Sequence, residues 1–134
     1  MNSKVGVWID HRKAIVVHIS DSGEEVIHIQ SSAESQLRRS SDHTTGAFEP
    51  LQVPSDDTRE RKYKAELNTF YDEVISHLVN SKSILICGPG EARTEFRNRM
   101  DAKHSVAGKV VSEAADSMTD AQVVARIRNH FQAQ

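Results

Sequence analysis

The stretch from Ser83 to Phe96, SILICGPGEARTEF, decides the fold of this chain. Four apolar residues follow a Lys-Ser turn signal, a pattern typical of a short strand buried on both faces. The turn Gly88-Pro89-Gly90 ends that strand, because glycine tolerates unusual backbone angles and proline lacks the amide hydrogen that a sheet hydrogen bond needs. A helix is then predicted to begin at Glu91 and to run to Met100. Open α/β sheets usually bind ligands at such a turn, so it marks a candidate site at the sheet edge.

Three strands are predicted on the amino-terminal side of this stretch. Alternating apolar residues place them at Lys4 to Asp10, Ala14 to Ser20 and Glu24 to Gln30. The short connections indicate an antiparallel meander, in which we expect Ile9 to pair with Ile15 and Val7 with Val17. This register predicts one shared apolar face, to which the third strand adds two isoleucines.

Two further helices and one further strand complete the predicted fold. A capping-box spacing at Asp57, followed by an apolar stripe, predicts a long helix through Asn80. Ser105 to Ser112 is predicted as a fifth strand, and a second capping box at Thr119 begins a final helix that ends near Phe131. The order βββ-α-β-α-β-α predicts an α/β fold with a ribonuclease-H-like mixed sheet and helices packed on the sheet faces.

Length and composition limit the class of protein. A chain of 134 residues is expected to form one domain, 1–134, that buries about two-thirds of its unfolded surface. The net charge of −2 means that contact with nucleic acid would need a local basic patch. The single cysteine, Cys87, excludes an internal disulfide framework and favours a reducing compartment. Because no apolar stretch approaches the length of a membrane span or a signal-peptide core, we expect a soluble, cytoplasmic protein without a membrane partner.

The connection from Ser31 to Asp57 differs from the rest of the chain. It is polar, contains two prolines, and has too few apolar residues to form a core element. A connection of this length inside a domain is usually functional or disordered. We therefore predict a mobile loop at about 31–57 that contacts a partner.

Basic residues cluster in and after this loop, and we interpret them as candidate contacts for RNA or the ribosome. They are Arg38 and Arg39 in the loop, Arg59, Arg61, Lys62 and Lys64 on the long helix, and Arg93, Arg97, Arg99 and Lys103 on the next helix. The alternative is a solvated helix face on which Glu95 pairs with Arg99 one turn away. The sequence leaves both interpretations open.

The sequence supports catalysis by the residues at the strand ends less well than it supports a binding role. A ribonuclease-H-like nuclease would use carboxylates around divalent metals, with Asp10 and Glu60 or Glu66 as candidates, but the fourth strand ends without an acid. Asp10 is better explained as a turn residue. The glycine turn matches neither a Walker A loop nor a dinucleotide fingerprint. We therefore expect no catalytic residue and no cofactor.

Histidine and cysteine spacing does not predict a metal centre or a catalytic thiol. His18 and His28 are predicted to face the same side of adjacent strands, but the sequence places no third ligand beside them. Cys87 has no anchored histidine partner. We expect no metal.

Three segments together resemble a known family. They are Val7-Trp8-Ile9-Asp10 with Ala14-Ile15-Val16-Val17, then Ile84-Leu85-Ile86-Cys87-Gly88-Pro89-Gly90, then Thr94-Glu95-Phe96. This pattern resembles the middle domain of eukaryotic and archaeal peptide-chain release factors and of the ribosome-rescue protein Pelota. The resemblance implies a component of the translational machinery with a ribonuclease-H-like fold.

The resemblance does not carry over the hydrolytic activity of release factors. Their segment before the long helix bears a Gly-Gly-Gln tip. The matching segment here, roughly Arg38 to Arg61, has a single glycine, Gly46, and no Gly-Gly-Gln. The implied function is a non-catalytic module that associates with the ribosome or RNA. Two alternatives stay open: a metal-dependent nuclease, and a homodimeric protein-interaction domain formed through a partly uncovered sheet face with Trp8, Ala14 and Val16.

Overall fold

Residues 4–32, 56–104, 106 and 108–132 are described by the computed structural model. They form β1 (Lys4–Ile9), β2 (Lys13–Ser20), β3 (Gly23–Gln30), α1 (Asp56–Ser76), β4 (Ser83–Gly88), α2 (Gly90–Lys103), β5 (Lys109–Ala114) and α3 (Asp120–Gln132). This order is the predicted one. Most of the predicted loop at 31–57, including Arg38 and Arg39, lies outside the described residues.

The boundaries of three elements differ from the prediction, and one of these elements, α2, runs to Lys103, three residues beyond the predicted Met100. The long helix ends at Ser76, four residues early, because the amides of His77 and Leu78 bond carbonyls three residues back and so form turns. Strand β5 begins at Lys109, whose amide donates to the Lys82 carbonyl. The preceding Gly108 passes so close to the Ser81 carbonyl that a Cβ there would lie 2.3 Å from the oxygen.

The five strands form one mixed sheet in the order β3-β2-β1-β4-β5. Strand β2 runs antiparallel to β1 and β3, whereas β4 runs parallel to β1 and β5. The predicted ribonuclease-H-like fold class is therefore confirmed. Four of the strands end at the same side of the sheet, which we call the carboxyl edge.

The register of the first hairpin differs from the predicted one by a single residue. Ile9 pairs with Ala14, and Trp8 pairs with Ile15. The cause is a tight turn after β1, in which Asp10 Oδ1 accepts hydrogen bonds from the amides of Arg12 and Lys13, both at 2.8 Å. Because a slip of one residue reverses every side chain, Ile15 lies on the opposite face from the one predicted.

Both faces of the sheet are consequently buried. Helices α1 and α2 cover the face that carries Val7, Val16 and their neighbours, and α3 covers the face that carries Trp8 and Ile15. Trp8 is only 1% exposed, and its indole nitrogen donates to the Asp116 carbonyl at 3.1 Å. The prediction of a partly uncovered Trp8 face is therefore wrong, because the sequence could not show that α3 packs there.

Helix α3 begins with the predicted capping box. The Thr119 amide donates to Gln122 Oε1 at 2.9 Å, and the Gln122 amide donates to Thr119 Oγ1 at 3.2 Å. The helix packs closely because Gly6 of β1 has no side chain: a Cβ there would lie 2.5 Å from Ile127 Cγ2. The predicted start of α3 is thus confirmed at the level of individual hydrogen bonds.

Candidate nucleic-acid interface

The carboxyl edge brings together the starts of two helices and the predicted glycine turn. Helix α1 runs back along the sheet to reach the amino end of β4, so it begins at the carboxyl edge. Gly88 ends β4 there with a φ of 142°, and a Cβ at this position would lie 2.1 Å from the Ile9 carbonyl oxygen. Glycine is therefore required where β4 passes β1, and Pro89 and Gly90 lead directly into α2.

Four predicted contact residues lie on the first half of α1, and we call them the α1 basic segment. They are Arg59, Arg61, Lys62 and Lys64. Arg59 is half-buried and the other three are exposed, whereas the first buried residue of the helix is Leu67. None forms an ion pair with another residue in the described part of the chain. The four cations are thus grouped at the carboxyl edge, where Glu60 lies among them in the sequence and Glu66 follows them.

The predicted basic residues of α2 do not form one surface. Arg93 lies in the first turn at the carboxyl edge, whereas Lys103 lies in the last turn at the other side of the sheet. Arg97 pairs with Asp101 on the same helix at 3.2 Å. Arg99 donates two hydrogen bonds, of 2.9 and 2.8 Å, to the carboxylate of Asp72 on α1. Arg93 shares the carboxyl edge with the α1 basic segment, but it lies two residues before Glu95, which contacts α1, and so faces away from α1.

Asp72 joins α1 to α2 as the centre of a small cluster. Besides Arg99, it contacts His104 Nε2 at 3.0 Å, just after the end of α2. Hydrogen bonds from Arg99, and secondarily from His104, lower the pKa of Asp72 to about 2. The positive charge of Arg99 is thus used to hold two helices together. The presence of Arg99 is therefore explained by helix packing, which the sequence alone did not reveal.

Glu95 has different partners from the predicted one. Its Oε1 accepts a hydrogen bond of 2.8 Å from the Tyr71 hydroxyl and lies 3.1 Å from His11 Nε2. Burial, followed by the bond to Glu95, raises the pKa of the Tyr71 hydroxyl. The predicted pair of Glu95 and Arg99 is therefore wrong. Sequence spacing gave no signal for this cluster, because its members come from three separate elements.

The candidate metal ligands either make other hydrogen bonds or lie on opposite faces of the sheet. Asp10 closes the turn after β1, as predicted. His18 lies on the face of α1, where burial lowers its pKa, whereas His28 lies on the face of α3 and contacts Asp120 at 2.7 Å. The prediction that the two histidines share a face is wrong, because β2 and β3 pair His18 with Glu25 and Ile15 with His28, which puts the two histidines on opposite faces. Across the described ranges, no group of three or more His, Cys, Asp or Glu residues could hold a metal ion.

Cys87 is buried under α3, near the carboxyl edge. Burial raises the pKa of its thiol, and the neighbouring Arg126 guanidinium offsets part of that effect. A thiol with a raised pKa is a poor nucleophile near neutral pH, because the thiolate is the reactive form. The side chain is 1% exposed and acts as a small apolar core residue.

No described helix combines the length and apolar character needed to cross a bilayer. The sheet and helices define an α/β protein of ribonuclease-H-like topology. The sequence matches no protein-family model and no curated protein.

Solved structures of similar fold include those of two Pelota proteins. Pelota from Thermoplasma acidophilum has a TM-score of 0.57 and 19% identity, with 96% of this chain and 32% of that chain covered. Pelota from Archaeoglobus fulgidus has a TM-score of 0.52 and 16% identity, with 98% and 36% covered. The archaeal translation termination factor aRF1 has a TM-score of 0.49 and 16% identity, with 98% and 39% covered. The predicted resemblance is thus confirmed for the fold, and this chain spans about a third of the length of the two Pelota proteins.

Proposed function

We propose that this chain is a non-catalytic module of the translational-machinery type that associates with the ribosome or with RNA. The observation that carries the proposal is the α1 basic segment, whose four cations lie at the carboxyl edge without an ion-pair partner among the described residues. The similarity in fold to Pelota supports the translational context.

The geometry of α1 suits contact with a nucleic-acid backbone. Arg59 and Lys62 are three residues apart and share one side of the helix, and Arg61 and Lys64 share another. A helix with cations on two sides can contact phosphates of a strand or groove that passes across it. Such contacts are favourable because each one releases condensed counterions.

Arg93 lies at the same edge of the sheet, but on the side of α2 that faces away from α1, so its contact with RNA would be separate from this surface. Arg38 and Arg39 precede α1 in the chain, and their participation remains a prediction from the sequence. Arg97 and Arg99 contribute less to the proposed surface, because Asp101 and Asp72 already neutralise them. Lys103 lies away from it, at the other end of α2.

Two observations support the part of the proposal that describes the module as non-catalytic. The sequence contains no Gly-Gly-Gln, and the Asp10 carboxylate that a nuclease would use accepts two backbone hydrogen bonds within its own turn. Magnesium-dependent RNA cleavage that is lost in Asp10→Asn would contradict this part of the proposal.

The proposal is tested by co-sedimentation with purified ribosomes at low and high salt. Two variants remove the same charge at different places: Arg61→Gln/Lys64→Gln on α1, and Lys103→Gln/Lys109→Gln at the opposite edge of the sheet. All four side chains are exposed, so the fold should be retained in both variants. We expect the α1 variant to lose most of the bound fraction and the control variant to keep it. Equal binding by the parent and both variants, or no binding by the parent at low salt, would overturn the proposal.

A further inference from the structure

The first half of α1 is exposed on the side that faces away from the sheet. Leu67 is buried, and Tyr63, one turn earlier, is partly buried against the core. The hydrogen bonds that join α1 to α2 involve Tyr71 and Asp72, further along the helix. Residues 56–66, which make up about 16 Å of helix, therefore have an accessible outer side at the carboxyl edge.

Two cations flank small side chains on this outer side. The α1 residues that pack on the sheet recur at intervals of three and four, and they include Tyr63, Leu67, Phe70 and Val74. Because successive helical residues are about 100° apart, positions 65 and 69 lie on the opposite side of the helix, with positions 61 and 62 to either side of them. These residues are Arg61, Lys62, Ala65 and Thr69, and all four are exposed. We call them the outward face of α1.

Between positions 58 and 72, the carboxylates of α1 lie on the sheet side or are already bonded. Glu60 precedes Leu67 by seven residues, which is about two helical turns, so it lies on the sheet side. Glu66 accepts a hydrogen bond from Ser32 Oγ. Asp72 is held by α2. Over this range, the charge of the outward face is therefore set by its two exposed cations.

The four cations of the α1 basic segment form two rows. Arg59 and Lys62 form the row on one side of the outward face, and Arg61 and Lys64 form the row on the other. An α-helix with its side chains is about 10 to 12 Å across, so a single strand that follows the helix meets one row. The two backbones that border the groove of a duplex can meet both rows at once.

We propose, on the basis of the proposed function, that the ligand of the α1 basic segment is double-stranded RNA, with the outward face of α1 lying in its minor groove. Each row of cations contacts the phosphates of one strand. Ala65 allows close approach to the groove floor, because its side chain is a single methyl group. Thr69 Oγ donates to the Ala65 carbonyl at 3.0 Å and can still accept a hydrogen bond from a ribose 2′-hydroxyl.

The packing of α1 favours an RNA duplex over a DNA duplex. The minor groove of A-form RNA is wide and shallow, so it can be reached by a helix whose other side is packed on a sheet. The major groove of B-form DNA is about 8.5 Å deep, and filling it would require more of the helix surface than the outward face provides. Ribose 2′-hydroxyls are also absent from DNA.

Fluorescence anisotropy with the full chain compares three kinds of probe. They are an RNA duplex of about 16 base pairs, which includes two successive minor grooves, each of its strands alone, and a DNA duplex of the same sequence. A contact with a salt slope of about 0.9 contributes about eightfold to affinity at about 0.1 M salt. Since the duplex meets one more row of cations, we expect it to bind at least about tenfold more tightly than either strand.

A bulky side chain on the outward face tests the docking mode. Ala65→Leu should weaken binding to the RNA duplex severalfold and leave binding to the single strands unchanged, because only the groove requires close approach. Ala102→Leu on α2 is the matched control and should bind the duplex as the parent does. Both alanines are exposed and leucine favours a helix, so both variants should fold.

The outcomes separate this inference from the proposed function. Equal affinity for the RNA duplex and its single strands, equal affinity for the RNA and DNA duplexes, or undiminished duplex binding by Ala65→Leu would overturn the inference and leave the proposed function standing. So would a parent protein that binds ribosomes but not the RNA duplex. A parent protein that binds neither ribosomes nor any RNA probe would overturn both.

Discussion

Individual residues at the interface between α1 and α2 show which cations are bound to carboxylates within the fold and which are not. Arg97, Arg99 and the cations of α1 look alike in the sequence, yet Arg99 has two short hydrogen bonds to Asp72 and Arg97 has an exposed partner on its own helix. Spacing along one helix predicts only local pairs. The partner of Arg99 lies 27 positions earlier in the chain, so no local pattern could reveal it.

Asp72→Asn should reduce the free energy of unfolding and remove a part of its acid dependence. The pKa of Asp72 is about 2 in the folded protein, below its ordinary value of 3.8. A lowered pKa means that the carboxylate stabilises the fold above about pH 4, and that this contribution is lost as the pH falls from 3.8 toward 2. Because the side chain is 38% exposed, solvent screening limits the effect to about 1 kcal/mol.

Urea unfolding between pH 2 and pH 7 measures this contribution, with the pH range chosen to span the ordinary and lowered pKa values. Asp101→Asn is the matched control, because it removes the exposed partner of Arg97 on one helix. We expect the control to change stability by no more than about 0.5 kcal/mol. An identical pH dependence in Asp72→Asn and the parent would contradict the role assigned to Asp72.

At the scale of secondary-structure elements, the sequence predicted which elements exist better than how their faces are arranged. The apolar run before Gly88 and the capping box at Thr119 are local signals, and both elements are present. The register of the first hairpin depends on the turn at Asp10. Because β1 and β2 are apolar on both faces, a slip of one residue leaves a pattern that looks equally satisfactory.

The junction between β4 and α2 gives a prediction at this scale. Gly88→Ala should lower the free energy of unfolding by more than about 2 kcal/mol, because the new Cβ would collide with the Ile9 carbonyl and the φ of 142° is unfavourable for alanine. Gly90→Ala is the matched control two residues later. A Cβ there meets nothing within 4 Å, and alanine favours a helix, so this variant should be neutral or slightly more stable.

Thermal or chemical unfolding of the two variants checks this prediction. Similar stabilities for Gly88→Ala and Gly90→Ala would mean that the close passage of β4 past β1 does not constrain the turn. The comparison needs no assumption about function, since it concerns only the geometry of the carboxyl edge.

At the scale of the whole molecule, element order was sufficient to predict the ribonuclease-H-like sheet, because right-handed crossovers leave few ways to assemble it. The candidate interface was predicted less completely. The sequence identified the cations, but only the packing of α1 against α2 shows that Arg99 has a carboxylate partner, Asp72. Long-range partners of charged side chains therefore set the limit of the sequence analysis.

The most direct test of the proposed interface is the salt dependence of RNA binding. Each phosphate contact contributes about 0.7 to 0.9 to the slope of log affinity against log salt concentration. We expect each of Arg59→Gln, Arg61→Gln, Lys62→Gln and Lys64→Gln to reduce the slope for ribosomal RNA by about that amount. Arg97→Gln removes a cation that already has a carboxylate partner, so its slope should match that of the parent. Slopes that are unchanged in all four α1 variants, with the fold intact, would contradict the assignment of this surface to RNA.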